Sequence, residues 1–468
     1  MHKNGVAHLV AEHDLHGINR IMRWLSFVPE CRDAPLPIWR NLQDPVDRDI
    51  DVVPSSVQCD PRTFLAGKME RDENGIENWM SGFFDRGTFM ETLAGWARSV
   101  VVGRARLGGI PMGVIAVETR TVDRVIPADP ANADSEEQVH MEAGQVWYPN
   151  SAYKTAQAIR DFNNGEQLPL IIFANWRGFS GGQRDMFHEI LKYGSFIVDA
   201  LVAYRQPVFV YVVPNGELRG GAWVVLDPTI NPDCMEMYAD ETSRAGVLEP
   251  EGIVDVKFRR SRILEVMARL DERYRSIKQQ LDSPGQSATQ RAELKAQLDA
   301  RERELQPVYR QVALQFADLH DTPGRMHAKG AIRKVLCWRD ARRFFHARLR
   351  RRLAEERVFA LLHAADKDLP RSTMVKELHA RWLNSGHGED KPSDDNSDVA
   401  VADWLESAAG QKAIADWQQS VCALRVRTQV AVLAGEDHVA AIQGLAAALK
   451  AMSVEQRSEL LSQLGLAS

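Results

Sequence analysis

The chain has 468 residues, 26% charged and 7% aromatic, with 58 basic against 64 acidic side chains and a formal charge of −6. That is the composition of an ordinary globular protein of roughly two to four domains rather than a disordered or fibrous one. It gives no bulk electrostatic reason to bind nucleic acid, and neither a membrane span of about 18 apolar residues nor a secretory leader at Met1 is expected.

The first element in chain order is an amphipathic helix expected at Leu15–Phe27, with no strand leading into it. A connector punctuated by Pro29, Pro35, Pro37, Pro45 and Pro54 follows. From about 55 to 260, strand-like runs (100–102, 112–118, 168–174 and 208–213) alternate with helix-like stretches at 88–98, 151–162 and 183–204. A short apolar run at 222–226 could open a helix instead, and 129–145 reads as a polar loop. Strands alternating with helices of this length predict an α/β domain. At 261–306, Ile263, Met267, Leu270, Tyr274, Ile277 and Leu281 form a coiled-coil-like stripe, broken by Ser283-Pro284-Gly285 and resumed at Leu294, Leu298 and Leu305. An antiparallel helical hairpin is the expectation. Beyond it, the arginines at 342, 343, 348 and 350–352 read as a solvated helix face, and 384–398 as part of a flexible linker before a helical tail. The five cysteines (31, 59, 234, 337 and 422) are scattered and form no CxxC pair, which points to reduced thiols and no metal site.

The chemistry concentrates in 168–226. One strand runs into Asn175-Trp176-Arg177-Gly178-Phe179-Ser180-Gly181-Gly182 and a second into Pro214-Asn215-Gly216-Glu217-Leu218-Arg219-Gly220-Gly221. Neither a phosphate-loop ending nor a dinucleotide fingerprint is present. Gly178-Phe179-Ser180-Gly181-Gly182 does fit GxSxG between a strand and a helix, so a serine hydrolase using Ser180, with Asp227 and His320 or His327, is one reading. Another is a pair of oxyanion sites, one per glycine loop, with Arg177 holding a carboxylate. The blander alternative is glycines that let strand ends pack tightly on helices.

The string from Ala174 to Phe187 resembles the carboxyltransferase component of multidomain, eukaryotic-type acetyl-CoA carboxylase. So do Gly216-Glu217-Leu218-Arg219-Gly220-Gly221, Glu236-Met237-Tyr238-Ala239-Asp240, and Gly103-Arg104-Ala105-Arg106-Leu107-Gly108-Gly109. Leu248-Glu249-Pro250-Glu251-Gly252 with Lys257-Phe258-Arg259-Arg260, Phe84-Asp85-Arg86-Gly87, and 315–321 are similar as well. The similarity weakens after about residue 360.

The resemblance implies an α/β, crotonase-like βαβ superhelix with a helical hairpin insertion and a helical C-terminal tail. Residues 1–50 would be the remnant end of an N-terminal carboxyltransferase half plus connector, 51–365 the C-terminal half with its hairpin at 261–306, 366–400 a linker and 401–468 the tail. The reaction it implies moves a carboxyl group from carboxybiotin, on a separate carrier, to acetyl-CoA, giving malonyl-CoA in fatty acid synthesis, with no side-chain base required. By resemblance, Arg177 sits near the transferred carboxylate, and amides at Gly194, Gly220 and Gly221 form the oxyanion sites. Trp176 and Phe179 would be pocket walls, Gly181, Glu249 and Gly252 would line the biotin side, and Lys257 and Arg259 would meet the coenzyme A phosphates from a strand. Implied partners are the biotin carboxyl carrier, the N-terminal half and a second copy in a homodimer. A cytoplasmic location is expected, with targeting by an upstream segment left open. A non-catalytic assembly module is the remaining alternative, because the N-terminal half, the biotin carboxylase portion and a biotinylation site are missing from the sequence.

Overall fold

The computed structural model describes residues 1–41, 43–55, 58–387 and 395–463, so residues 388–394 of the expected linker lie outside the described residues. The chain divides into two compact units, Met1–His346 and Ala347–Ser468. That boundary falls before residue 365, where the sequence reading ends the catalytic half.

The first unit is built on a seven-stranded sheet in the order Lys334–Leu336, Met235–Asp240, Val208–Val212, Leu170–Ala174, Ile110–Val117, Val100–Leu107, Met90–Thr92. The first five strands are mutually parallel, and an antiparallel hairpin with one further antiparallel strand completes the other edge. Leu170–Ala174 and Val208–Val212 are buried along their whole length, which is why they read as continuous apolar runs rather than alternating ones. The helices Pro149–Arg160 and Ile190–Val202 pack on one another and on this sheet. The α/β class is therefore as expected.

Three expected elements differ. The stretch 88–98 is not a helix but the strand Met90–Thr92 and a tight turn, in which Leu93 and Ala97 adopt left-handed φ of 56° and 47°. The reason is Lys154: its buried ammonium donates to the carbonyls of Leu93 (3.0 Å), Trp96 (2.9 Å), Ala97 (3.4 Å) and Val100 (2.7 Å), which bends the turn around a cation. The helix expected at 183–204 is broken into Gln183–Phe187 and Ile190–Val202 at Glu189, whose φ is 64°. Within the expected 129–145 loop, Gln138–Glu142 is a strand paired with Val122–Ile126.

The strings rich in Arg and Gly turn out to be structural. Arg104 pairs with Glu166 in the interior, and Arg106, fully buried, donates to the carbonyls of Pro37 and Gly109. The Asp85 carboxylate accepts from the amides of Gly108 (2.9 Å) and Gly109 (2.7 Å) and from Arg342 (2.7 Å). The arginine face is thus largely not solvated. Arg342 is buried on Asp85, while in the second unit Arg348 and Arg351 share Asp398, and Arg350 pairs with Asp403 and Glu406. For Arg342, Arg348 and Arg350 the carboxylate comes from a distant part of the chain, a pairing that local sequence does not reveal.

The hairpin is three helices, Arg260–Leu270, Glu272–Asp282 and Ala288–Asp318, with Ile263, Met267, Tyr274 and Ile277 buried as the stripe implied. The first helix, Asp14–Leu25, is inverted relative to the usual rule. Trp24 and Arg23 bind the body through Glu166 and the carbonyls of Gly87 and Phe89, while Leu15, Ile18, Ile21, Met22 and Leu25 face outward. In the second unit, part of the expected linker is folded: the helix Arg371–Trp382 buries Met374, Leu378 and Trp382 in a helical core with Trp404 and Trp417.

Candidate functional site

The two glycine loops leave neighbouring parallel strands at their C-terminal ends, where an α/β sheet ordinarily places its ligands. They are tied to each other first by backbone. Trp176 bridges Leu218, and the Arg219 N–H donates to the Trp176 carbonyl at 2.9 Å. Asn175 adds a side-chain knot, its Oδ1 accepting from the Glu217 N–H (2.9 Å) and from Gln145 Nε2 (2.5 Å). A third strand end joins through the parallel pairing of Val146–Trp147 with Gly178–Phe179.

An aromatic stack fills the corner. Trp147 lies between Trp176 (4.1 Å between centroids) and Phe179 (4.9 Å), and its indole N–H is held by Thr155 Oγ1 at 3.1 Å. The Phe179 ring is clasped in turn by two glycines. A Cβ on Gly194 would come within 2.9 Å of the ring, and one on Gly221 within 3.0 Å. Gly194 sits a full turn inside the helix Ile190–Val202, so its N–H belongs to the helical ladder and is not a free oxyanion donor. That corrects the expectation for this residue: its lack of a side chain seats Phe179. Gly220 and Gly221 do open the helix Gly220–Leu226, where first-turn N–H groups have no intrahelical acceptor. Gly220 also has φ of 54°, a conformation that strains any residue with a Cβ.

The Arg177 guanidinium is half exposed, with Nη2 3.6 Å from Glu217 Oε1. The other Glu217 oxygen lies 3.4 Å from Nε of Arg219, which is itself buried and bonded to Asp321. Burial raises the Asp321 carboxyl above its ordinary range even though Arg219 pulls the other way. Trp147, Asn175, Glu217, Arg219 and Asp321 are thus site-building residues that carried no assigned role in the sequence. Asn175, Glu217, Arg219 and Asp321 all lie inside similar strings, but no spacing rule links Arg219 to Asp321, 102 residues later.

Of the remaining expected residues, Gly181 and Glu249 lie near this corner, whereas no contact ties Lys257 or Arg259 to it among the described residues. A Cβ on Gly181 would meet nothing within 4 Å, leaving open space above it. Glu249 is exposed at the N-cap of the helix Pro250–Lys257, next to Leu248, whose carbonyl faces Arg219 Nη1 at 3.5 Å. Gly252 lies in that helix, Lys257 ends it, and Arg259 caps the next, so the two basic residues are on helix termini rather than a strand. Both are exposed.

The hydrolase arrangement does not assemble. The Ser180 hydroxyl donates to the buried Asp185 carboxylate, its N–H goes to the Trp147 carbonyl (2.8 Å), His320 Nδ1 meets the Phe316 carbonyl (2.9 Å), and Asp227 caps Thr229. Among the described residues no imidazole is bonded to Ser180, so a fluorophosphonate probe should leave it unlabelled. Ser180→Ala should cost about 1–2 kcal/mol in a denaturant titration, because the buried Asp185 loses a donor. Rapid labelling at Ser180 would restore the hydrolase reading.

A family model described as "Carboxyl transferase domain" matches residues 1–353. The chain is 51% identical to an acetyl-CoA carboxylase of Schizosaccharomyces pombe and 50% identical to one of Saccharomyces cerevisiae, over 99% of its own length in each case. It is 53% identical over 87% of its length to a Saccharomyces cerevisiae relative named "Acetyl-CoA carboxylase, mitochondrial". The chain spans about a fifth of the length of these curated relatives. Among solved structures, a transcarboxylase 12S chain is similar at 19% identity and a TM-score of 0.47, over 72% of this chain and 51% of the other.

Proposed function

The chain belongs to the carboxyl transferase domain family, and from that premise we propose that it is the C-terminal carboxyltransferase half of an acetyl-CoA carboxylase, carrying a carboxyl group from carboxybiotin to acetyl-CoA to give malonyl-CoA. The observation that supports this best is the approach of the two loops: the Arg177 carbonyl is 3.7 Å from where a Gly220 Cβ would lie, at the start of the helix Gly220–Leu226, and the Arg177 guanidinium is half exposed. A cationic fork for a carboxylate and amides for a thioester oxyanion then share one corner.

Carboxybiotin, when bound, supplies the activated carboxyl group. The open space over Gly181 and the acceptor-free amides fit a ureido ring and a thioester carbonyl. What the chain itself contributes is placement and charge. Arg177 orients the carboxylate, Gly220 and Gly221 donate to the oxyanion, and the Trp176–Trp147–Phe179 stack walls the pocket and excludes water. Gly181, Glu249 and Gly252 face the biotin side, and Lys257 and Arg259 meet the coenzyme A phosphates. The body of the first unit is the part assigned to the crotonase-like superhelix.

The proposed partners are the N-terminal half, a biotin carboxyl carrier and a second copy in a homodimer. In support, Phe187 (84% exposed), Leu191, Val224 and Val247 leave apolar surface next to the glycine loops, and the first helix turns its apolar face outward. Among the described residues no helix is long and apolar enough to cross a membrane. The proposed compartment is the cytosol, which cell fractionation tests.

The deciding assay is the reverse reaction: malonyl-CoA-dependent carboxylation of a soluble biotin derivative by the purified chain, alone and with an added N-terminal half. Turnover only in the mixture is the expected result. Silence in both, with the halves shown to associate, would favour an assembly module instead.

A further inference from the structure

We propose that Glu217 competes with the transferred carboxyl group for Arg177, and so sets how tightly the site holds the carboxylated thioester relative to the uncarboxylated one. This rests on the carboxyltransferase reading. Glu217 is fixed at both ends: its backbone N–H is bonded to Asn175 at 2.9 Å, and one carboxylate oxygen lies 3.4 Å from the buried Arg219 guanidinium. Arg219 is in turn anchored on Asp321. The other Glu217 oxygen is thereby held 3.6 Å from Arg177 Nη2, a distance of charge attraction rather than of a full hydrogen bond.

Arg177 is half exposed. An exposed pair of this kind is weak and is easily exchanged for a ligand carboxylate that grips the guanidinium with both oxygens. The exchange leaves two carboxylates around one arginine, because the Arg219 anchor keeps Glu217 from retreating. Malonyl-CoA meets that second negative charge and acetyl-CoA does not. Glu217 therefore loosens the carboxylated product selectively and returns to Arg177 as it leaves.

Glu217→Gln keeps the shape and the backbone bond to Asn175 while removing the charge. With the N-terminal half supplied, equilibrium binding of malonyl-CoA should tighten by up to about five-fold, the most an exposed pair is worth, and acetyl-CoA binding should not change. In an Arg177→Ala background the same substitution should do nothing. Equal shifts for both thioesters, or none, with thermal melts matching the parent, would overturn the role of Glu217. Parent and Arg177→Ala proteins binding malonyl-CoA alike would instead overturn the carboxyltransferase reading beneath it.

Discussion

Arg177→Ala is expected to lower carboxyl transfer by about a hundredfold or more while leaving the fold intact. The side chain is half exposed, and its ion pair to Glu217 at 3.6 Å is of the kind worth at most about 1 kcal/mol. What holds the loop is backbone: the Arg177 N–H donates to the Gln145 carbonyl at 2.8 Å, and residues 178–179 pair with 146–147. Truncation touches neither. Removing a single preorganised donor from a developing negative charge typically costs about 10²–10³ in rate, and a bidentate guanidinium offers two. Arg177→Lys should recover only part of the loss, because an ammonium keeps the charge but not the planar fork. Both variants would be compared with the parent in kcat and in thermal melts. A loss of only twofold in Arg177→Ala would remove this arginine from the reaction.

How much of this was legible beforehand follows from the range of the interactions involved. Leu170–Ala174 and Val208–Val212 stood out because strands covered on both faces are apolar at every position. The glycine loops stood out because composition changes abruptly at the strand ends. Elements decided by a distant partner did not. The stretch 88–98 looks helical until Lys154 gathers its carbonyls from a helix more than fifty residues on. The arginines at 342–352 have the spacing of a wet helix face, but Asp85 and Asp398 bury several of them. Lys257 and Arg259 alternate as on a strand, yet Pro250 at the helix start directs that segment into a helix. The site shows the same division. Arg177 and the glycines are local features of a loop, whereas the aromatic stack depends on three strand ends meeting.

Lys154 carries the largest stability prediction, and sequence offered no sign of it. A single lysine in the amphipathic helix Pro149–Arg160 reads as solvated, but this one is fully buried and none of its contacts is a carboxylate. Burial pushes its ammonium down to about 7; the charge of Glu91 opposes that shift, and those of Arg62 and Arg98 assist it. Lys154→Met fills the same space but removes the ammonium from four carbonyls, of which Leu93 and Ala97 keep a backbone donor, and leaves the turn with left-handed Leu93 and Ala97 without its centre. A loss of roughly 3–5 kcal/mol near pH 7 is expected.

The pH dependence carries a definite sign. The folded-state value lies below the ordinary lysine value of 10.5, so between about 7 and 10.5 the unfolded chain binds more protons than the folded one. The penalty for burying the charge is therefore full below about 7 and is relieved as pH rises, by about 1.4 kcal/mol per pH unit. Denaturant titrations at pH 6.5, 8 and 9 should show the parent's advantage over Lys154→Met widening at each step. A constant difference would mean that Lys154 keeps an ordinary affinity for its proton. The four carbonyls would then offset the whole cost of taking its charge out of water.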